Sequence, residues 1–493
     1  MTAALSPLSG SASLFSPGDV IDGFHFVERL HMGGMSEIWK VTREDMAPPA
    51  VFKAPLIGHA EEAAAQEAAT IVGFEMEQMI LPLIRGPHAP HFIAAGDFSR
   101  RPYLVMELIE GESLLRRVDH VPLPVAEVAK IGRGVALALS ALHAQNVLHL
   151  DVKPSNIMRR ASGDYALIDF GLSRHEQLPD LLAEEFHVPF GTAPYLSPEQ
   201  VLRDRGDPRS DIFSLGVTLY YLLTGVRPFG YPRSRTALAK RLWRDPEPPR
   251  RLRPDCPAWL QEVILHCLEP EADQRYGSAA QLALDLAAPE QIALTARAEK
   301  LRTDSIFAAR RRWWTQKFAP SRWTRSMAAR RALAPIVVAA VDFAGGPAGG
   351  DLLRENIRRI LLATPGARLA CVTVIQTPRP RHDDRESGGR LHVRRLVELR
   401  RWAANLGLAD NTVTAHVLEA DDTAEALLDF ARRNHVDHLV LCASAPNAFW
   451  PSALGPVAER VVAQAPCTVT LARAAQADSR LGAATEPGEG LGL

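Results

Sequence analysis

Apolar and polar residues alternate from Phe24-His25-Phe26-Val27 through Glu28-Arg29-Leu30 and on to Val41, the period of a half-buried strand. Val51-Phe52-Lys53 predicts another strand, and Glu61–Ile84 contains a helix. Arg101–Gly111 reads as an apolar strand that runs into a polar break. Val125–Ala144 has helical apolar spacing, and Ser210–Val217 opens a buried apolar helix. Residues 1–18, rich in Ser, Ala and Pro, predict a disordered leader ending in a turn at Pro17-Gly18. From residue 334 the pattern changes, because Ile336–Asp342 is a continuous apolar run of the kind buried on both faces of a sheet. A helix at Asp351–Ala363, a strand at Leu369–Ile375 and an Arg-rich insertion at Arg379–Arg390 follow. Next come a helix at Leu391–Leu406, a strand at Thr412–Leu418 and a helix at Thr423–Asn434. A strand at His438–Ala443, a helix at Val457–Gln464 and a strand at Thr468–Leu471 complete the series. Strand and helix in alternation predict a doubly wound parallel sheet.

At 493 residues the chain is too long for one core, and its 47% hydrophobic and 23% charged residues describe an ordinary globular protein. A formal net charge of -1 removes any whole-chain argument for nucleic-acid binding. The five cysteines, at 256, 267, 371, 442 and 467, show no CxxC spacing and read as small buried hydrophobes. The best apolar run, Ala332–Ala344, falls short of the roughly 18 residues that span a bilayer and contains Asp342. Charge is uneven along the chain. Between Arg297 and Arg331 lie eleven Lys or Arg against two acids, with Trp313, Trp314 and Trp323 interleaved. Such a stretch suits a helical linker whose Trp side chains pack on a domain, an anionic membrane surface, or nucleic-acid phosphates. Ser305, Ser321, Thr324 and Ser326 stand there in basic surroundings and are candidate phosphorylation sites.

The chemistry-bearing stretch is His149-Leu150-Asp151-Val152-Lys153-Pro154-Ser155-Asn156, followed by Asp169-Phe170-Gly171. Phosphoryl transfer needs a carboxylate for the hydroxyl proton, and an amide oxygen with a second carboxylate to hold a metal against the phosphate charge. Asp151, Asn156 and Asp169 supply these groups at the spacing of protein kinases. The stretch resembles the Hanks-type Ser/Thr protein kinases, over roughly residues 20–288, and implies the α+β two-lobed kinase fold with ATP and Mg²⁺.

The resemblance implies that Asp151 orients or deprotonates the substrate hydroxyl, that Lys153 neutralises the γ-phosphoryl group, and that Asn156 and Asp169 bind Mg²⁺. Lys53 would clamp the α- and β-phosphates and pair with a helix Glu; Glu77 is preferred to Glu75 and Glu67 because it precedes Leu81 by four and Ile84 by seven. Met106 stands as gatekeeper, with the Glu107–Ile109 backbone facing adenine. Of the family's three loop glycines only Gly33 is present; His31 and Ser36 take the other places, where side chains would hold the loop off the phosphates. Lys153 and Thr192 carry the Ser/Thr signature, Glu199 is expected to pair with Arg275, and Asp211 to brace the catalytic loop. Protein substrates with Ser or Thr acceptors, autophosphorylation included, follow from the resemblance. The family's bacterial members often carry a span after the kinase domain; its absence here points to the cytoplasm.

Where the family has His-Arg-Asp, this chain has Leu150, and Arg174–Phe190 contains no Ser, Thr or Tyr. Receptor and phosphosite of the usual phosphate switch are both missing, which implies a non-RD kinase not switched on by activation-loop phosphorylation.

Val341-Asp342-Phe343 and the run Val457–Val469 resemble the universal stress protein family, an α/β doubly wound parallel-sheet fold that often dimerises through its last strand. The family's ATP-binding members carry Gly-x-x-Gly, nine residues, then Gly with Ser or Thr. Here Ala443-Ser444-Ala445-Pro446 precedes Gly455-Pro456 at a spacing one residue short. These departures argue against nucleotide binding there, although Asp342 occupies the adenine position. The domains expected are a leader at 1–18, a kinase at 19–288, a basic linker at 289–333, a stress-protein-like domain at 334–474 and a disordered tail at 475–493. The homodimer would form through the C-terminal domain. The competing reading is a non-enzymatic, pseudokinase-like scaffold in stress signalling.

Overall fold

The computed structural model describes residues 13–33, 36–56, 64–96, 101–186, 188–303, 335–343, 346–364, 367–376, 385–408, 413–434, 436–442 and 455–473. The chain divides into two compact units, Met1–Leu333 with Pro380–Val397, and Ala334–Arg379 with Glu398–Leu493.

The first unit opens with strands β1 (Val20–Ile21), β2 (Phe24–Met32), β3 (Ser36–Arg43) and β4 (Met46–Pro55). Helix α1 (Ala64–Ile80) follows, then β5 (Phe92–Gly96) and β6 (Tyr103–Glu107). The sheet has the order β1-β2-β3-β4-β6-β5. The alternation is visible in its burial: Phe24 and Phe26 point inward with Trp39, Val41, Phe52 and Tyr103, while His25 and Val27 face water. The leader corrects the sequence reading from Ser13 onward. Phe15 is buried, 4.6 Å from the Phe26 ring and 5.6 Å from that of Phe52, so its ring belongs to the core of this sheet while Ser13, Leu14, Ser16 and Pro17 stay exposed. Ser13 Oγ and the Leu14 N–H donate to the buried carboxylate of Glu37, which also lies 3.6 Å from Arg29 Nη1, so its burial is compensated.

The helical part holds β7 (Gly111–Ser113), α2 (Val125–His143), β8 (Val147–Leu148), β9 (Ile157–Arg160), β10 (Tyr165–Leu167) and β11 (Arg174–His175). Helices α3 (Leu181–Glu185), α4 (Pro198–Val201), α5 (Arg209–Thr224), α6 (Ala258–Cys267) and α7 (Ala279–Ala287) follow, among shorter ones. Every residue of α5 from Ser210 to Leu223 is buried, as its all-round apolar sequence requires, and Gly225 at φ +74° ends it. Residues 289–303, expected as linker, are instead part of this unit. Gln261 Nε2 donates to the carbonyls of Arg297, Ala298 and Lys300 at 2.8, 3.0 and 2.9 Å, and Glu262 accepts from Thr295 and Arg297. The basic stretch from residue 304 to 334, with its three Trp, lies outside the described residues.

The second unit contains β12 (Ile336–Ala340), α8 (Gly346–Ala363), β13 (Arg368–Gln376), the end of α9 (Arg385–Ala404) from Glu398 onward, and β14 (Val413–Ala420). It continues with α10 (Thr423–Arg433), β15 (His438–Cys442), α11 (Pro456–Gln464) and β16 (Thr468–Ala472). All four pairings are parallel, in the order β14-β13-β12-β15-β16, as the alternating pattern predicts. Val338, Val372, Leu428, Leu439 and Val461 fill the space between sheet and helices. Two helices start earlier than expected. Both α8 and α9 run through glycines (Gly349-Gly350, Gly388-Gly389) that read as loop, propensity being a weak prior. Cys267 and Cys371 are fully buried and Cys256 nearly so, with their thiol pKa values pushed up by burial, which fits small core residues. No helix among the described residues is long and apolar enough to cross a membrane.

Candidate active site

Lys53 stands on β4 opposite Ile38 of β3 and Leu104 of β6, where the sheet holds its stem. Its Nζ lies 2.6 Å from Glu77 Oε2 on α1 and 2.8 Å from Asp169 Oδ1. Burial works against the Lys53 charge, but Asp169 and Glu77 outweigh it and raise the pKa. Asp169 is held down at about 2 by Lys53, while its side chain stays half-exposed. Glu77 is buried; burial pushes its carboxyl up against the pull of Lys53, and Oε1 accepts the Phe170 N–H at 3.1 Å. The spacing argument for Glu77 thus picked the carboxylate that meets Lys53.

The loop after β8 is fixed from beneath by Asp211 on the first turn of α5. Its carboxylate accepts the backbone N–H of His149 at 2.9 Å and of Leu150 at 2.7 Å, and lies 2.9 Å from His143 Nε2. Burial opposes the Asp211 charge, but the hydrogen bond and charge of His143 keep its pKa below the usual range. Leu150 is buried in a left-handed conformation, φ +60°, which a branched side chain adopts only when its surroundings enforce it. Asp151 comes next, and four donors meet its carboxylate. Oδ2 receives Lys153 Nζ at 2.6 Å and Asn156 Nδ2 at 3.1 Å; Oδ1 receives the Thr192 N–H at 3.1 Å and hydroxyl at 2.8 Å. Lys153 also reaches Thr192 Oγ1 at 2.8 Å, so a hydroxyl already sits between an acceptor carboxylate and an ammonium. Below this group Glu199 and Arg275 form a two-pronged pair at 2.8 and 2.9 Å, with neither side chain exposed.

Residues 24–285 match the family model of the protein kinase domain, and residues 335–473 that of the universal stress protein family. The chain belongs to the protein kinase family. It is a Hanks-type Ser/Thr kinase domain joined to a C-terminal universal stress protein domain, a two-lobed α+β fold followed by a parallel α/β sheet. Serine/threonine-protein kinase pkn2 of Myxococcus xanthus is 32% identical over 277 residues, 55% of this chain and 33% of that protein. PknB of Mycolicibacterium smegmatis is 32% identical over 287 residues, 55% of this chain and 43% of the relative. PknL of Mycobacterium tuberculosis is 37% identical over 201 residues, 40% of this chain and 50% of the relative. The chain thus spans between a third and a half of these relatives. A crystal structure of the PknI kinase domain from Mycobacterium tuberculosis covers 55% of this chain and 98% of its own, at TM-score 0.43 and 23% identity.

On β6, Met106 is buried and pairs across the sheet with Val51, and Ile109 beyond the strand is also buried. The Glu107 N–H is taken by the His91 carbonyl at 2.8 Å. Its side chain, for which sequence reading assigned no partner, meets Arg160 at 2.5 Å and His91 Nδ1 at 2.9 Å. Burial opposes that charge, but the Arg160 and His91 bonds bring the Glu107 pKa to about 2. In the glycine-rich hairpin, the Gly33 N–H donates to the Ser36 carbonyl at 3.0 Å, and a Cβ at Gly33 would come within 3.2 Å of the His31 ring. Gly34 and Met35 lie outside the described residues.

The activation segment carries an ion pair that no local sequence signal announces. Arg205 Nε lies 2.9 and 3.1 Å from the two Asp180 oxygens, and Arg205 Nη2 donates to the Leu172 carbonyl at 2.9 Å. Asp180 also caps α3 through the Ala183 N–H. Arg205 is buried and its Nη1 has no hydrogen-bond partner among the described residues, so Asp180 is its main compensation. Asp180→Ala is therefore expected to speed limited proteolysis within residues 174–186 by about 5- to 30-fold, the equivalent of one to two kcal/mol. An unchanged cleavage rate would show that the pair orders nothing.

In the stress protein domain, Gly455 (φ +81°) precedes α11 and Pro456 is its first residue, so that position offers no N–H. The counterpart of the Gly-x-x-Gly motif, Ala443–Pro446, lies outside the described residues.

Proposed function

We propose that this chain transfers the γ-phosphoryl group of ATP to Ser and Thr hydroxyls of proteins, itself included, as a non-RD kinase. The observation that carries the reading is the joined arrangement of Lys53, Glu77 and Asp169 beside Asp151, Lys153 and Asn156. An incoming hydroxyl would take the position of Thr192 Oγ1 and give its proton to Asp151, while Lys153 offsets charge on the moving phosphoryl group. Lys53 would hold the α- and β-phosphates, Gly33 their backbone cover, and Met106, Glu107 and Ile109 the adenine. The donor set suits Mg²⁺. Asn156 commits Nδ2 to Asp151, which leaves Oδ1 facing Ser155 Oγ, and Asp169 keeps a half-exposed carboxylate; two hard oxygens match a cation that retains several waters. Bound there, Mg²⁺ would neutralise phosphate charge.

The domain limits we favour remain a kinase core at 19–288 and a stress-protein-like domain at 334–474, with residues 13–18 and 289–303 packed onto the first unit as extensions. The absence of phosphorylatable residues in Arg174–Phe190, with Leu150 beside Asp151, supports control that needs no phosphate there. We assign the chain to the cytoplasm, with the basic stretch available to anionic surfaces. Dimerisation would use β16, which pairs only with β15 among the described strands. The scaffold reading draws its support from His31 and Ser36 at two glycine positions. Incubation with labelled ATP and Mg²⁺ separates the two. Label on wild type and not on Asp151→Ala, recovered as phosphoserine or phosphothreonine, is the expected result; label on neither protein favours the scaffold.

A further inference from the structure

Gln200 has no place in the motif description, yet its side-chain amide sits between the two backbones that meet at Asp151. The residue is buried, 1% exposed. Nε2 donates to the Leu150 carbonyl at 2.7 Å and to the Phe190 carbonyl at 3.3 Å, while Oε1 accepts the Ser197 N–H at 3.0 Å. Only this orientation of the amide works: the reverse would set its oxygen against two carbonyls and its NH₂ against an N–H. Ser197 Oγ in turn accepts the Gln200 N–H at 3.2 Å, so a capping box locks the side chain on α4.

The two carbonyls are well chosen. Leu150 is the residue at φ +60°, whose N–H is held by Asp211; Gln200 holds the other end of the same residue, next to Asp151. Phe190 precedes Gly191-Thr192, and Thr192 is the residue whose N–H and hydroxyl meet the Asp151 carboxylate. In an RD kinase an arginine at position 150 would reach the activation segment through a phosphate. Leu150 has no such reach, and the connection is made instead by the neutral Gln200 amide.

We propose that Gln200 is a positioning residue that clasps the catalytic loop to the activation segment, fixing Asp151 against Thr192 without a phosphate. The proposal rests on the kinase reading, since its purpose is the placement of Asp151. Gln200→Met keeps the length of the side chain and removes both donated bonds. Full-length Gln200→Met is expected to lose about 10- to 100-fold in kcat, the scale of a small misplacement of a reacting group, with KM for ATP within about twofold of wild type. Gln200→Glu sets a carboxylate against two carbonyls, and regains a donor only when protonated. Burial raises the pKa of such a carboxyl, so its activity relative to wild type is expected to climb at least about fivefold between pH 8 and pH 6. A kcat for Gln200→Met equal to wild type, a loss confined to KM, or a Gln200→Glu profile parallel to wild type would overturn the clasp. Backbone hydrogen exchange provides the readout that needs no catalysis: Gln200→Met should exchange faster at residues 149–152 and 189–193, with α5 unchanged. Wild type without activity but with that exchange signature defeats the kinase reading while leaving the clasp. An active wild type with unaltered exchange in the variant defeats the clasp alone.

Discussion

Replacing Lys53 by Met is expected to reduce phosphoryl transfer by at least about 100-fold, the scale seen when one charge-stabilising donor is removed from a buried site. Two carboxylates, Glu77 and Asp169, meet at the Lys53 ammonium, and without it they face each other. The variant should also change how stability depends on pH. In wild type the Asp169 pKa is depressed to about 2, so its contribution is present above the unfolded value and is lost as pH falls through about 2. Glu77 behaves oppositely: its pKa is raised by burial, so protonation favours the folded state and stability falls as pH rises through its folded pKa. Removing Lys53 takes away the group that holds the Glu77 pKa down. The Tm of Lys53→Met is therefore expected to rise relative to wild type between pH 7 and pH 5. A parallel Tm profile, or transfer within tenfold of wild type, would mean that Lys53 does not organise this site.

The second large effect falls on stability. Arg275→Ala leaves the Glu199 carboxylate fully buried with no cation, since each side chain of the pair is 0% exposed. Breaking a buried pair from one side costs about 3–5 kcal/mol, which for a domain of this size is a Tm fall of about 10 °C. Arg275 also ties the Glu269, Pro270 and Arg209 carbonyls to α4, so their satisfaction is lost together. The double variant Glu199→Leu with Arg275→Met removes both charges and should recover part of the loss. Calorimetry of the full chain, following its first transition, checks both; a fall below about 2 °C in Arg275→Ala contradicts the role given to the pair.

How much of this was readable from the chain depended on range. Strands and helices that advertise their period, such as Phe24–Val41, Val125–Ala144 and the series from Ile336 to Leu471, lie where the pattern puts them, with ends displaced by a few residues. Motif spacing located Asp151, Asn156 and Asp169, and the offset to Leu81 and Ile84 selected Glu77. Long-range partnerships that no family motif carries left no mark. Nothing around Asp180 points to Arg205, nor around Glu107 to Arg160, because each carboxylate alone reads as a solvated acid. The Gln200 side chain had one local sign, the Ser-x-x-Gln capping box at Ser197, but not its target on Leu150. The part of the expected leader that the structure describes, residues 13–18, hid its packing because one aromatic among Ser and Pro is a weak signal. Phe15 gains its meaning only from Phe26 and Phe52, and a fragment begun at residue 19 would lack it.

Asp180 differs from a phosphate in how it can be undone. A phosphate that orders an activation segment arrives with one enzyme and leaves with another, so the ordered state has a lifetime set by the cell. The carboxylate that meets Arg205 is made at translation and no hydrolase removes it. On the proposed non-RD reading, the Asp180–Arg205 contact carries no erasable mark. The off-signal would then come from something that binds the chain or from the chain's destruction, and memory of past stimulation would have to be stored elsewhere.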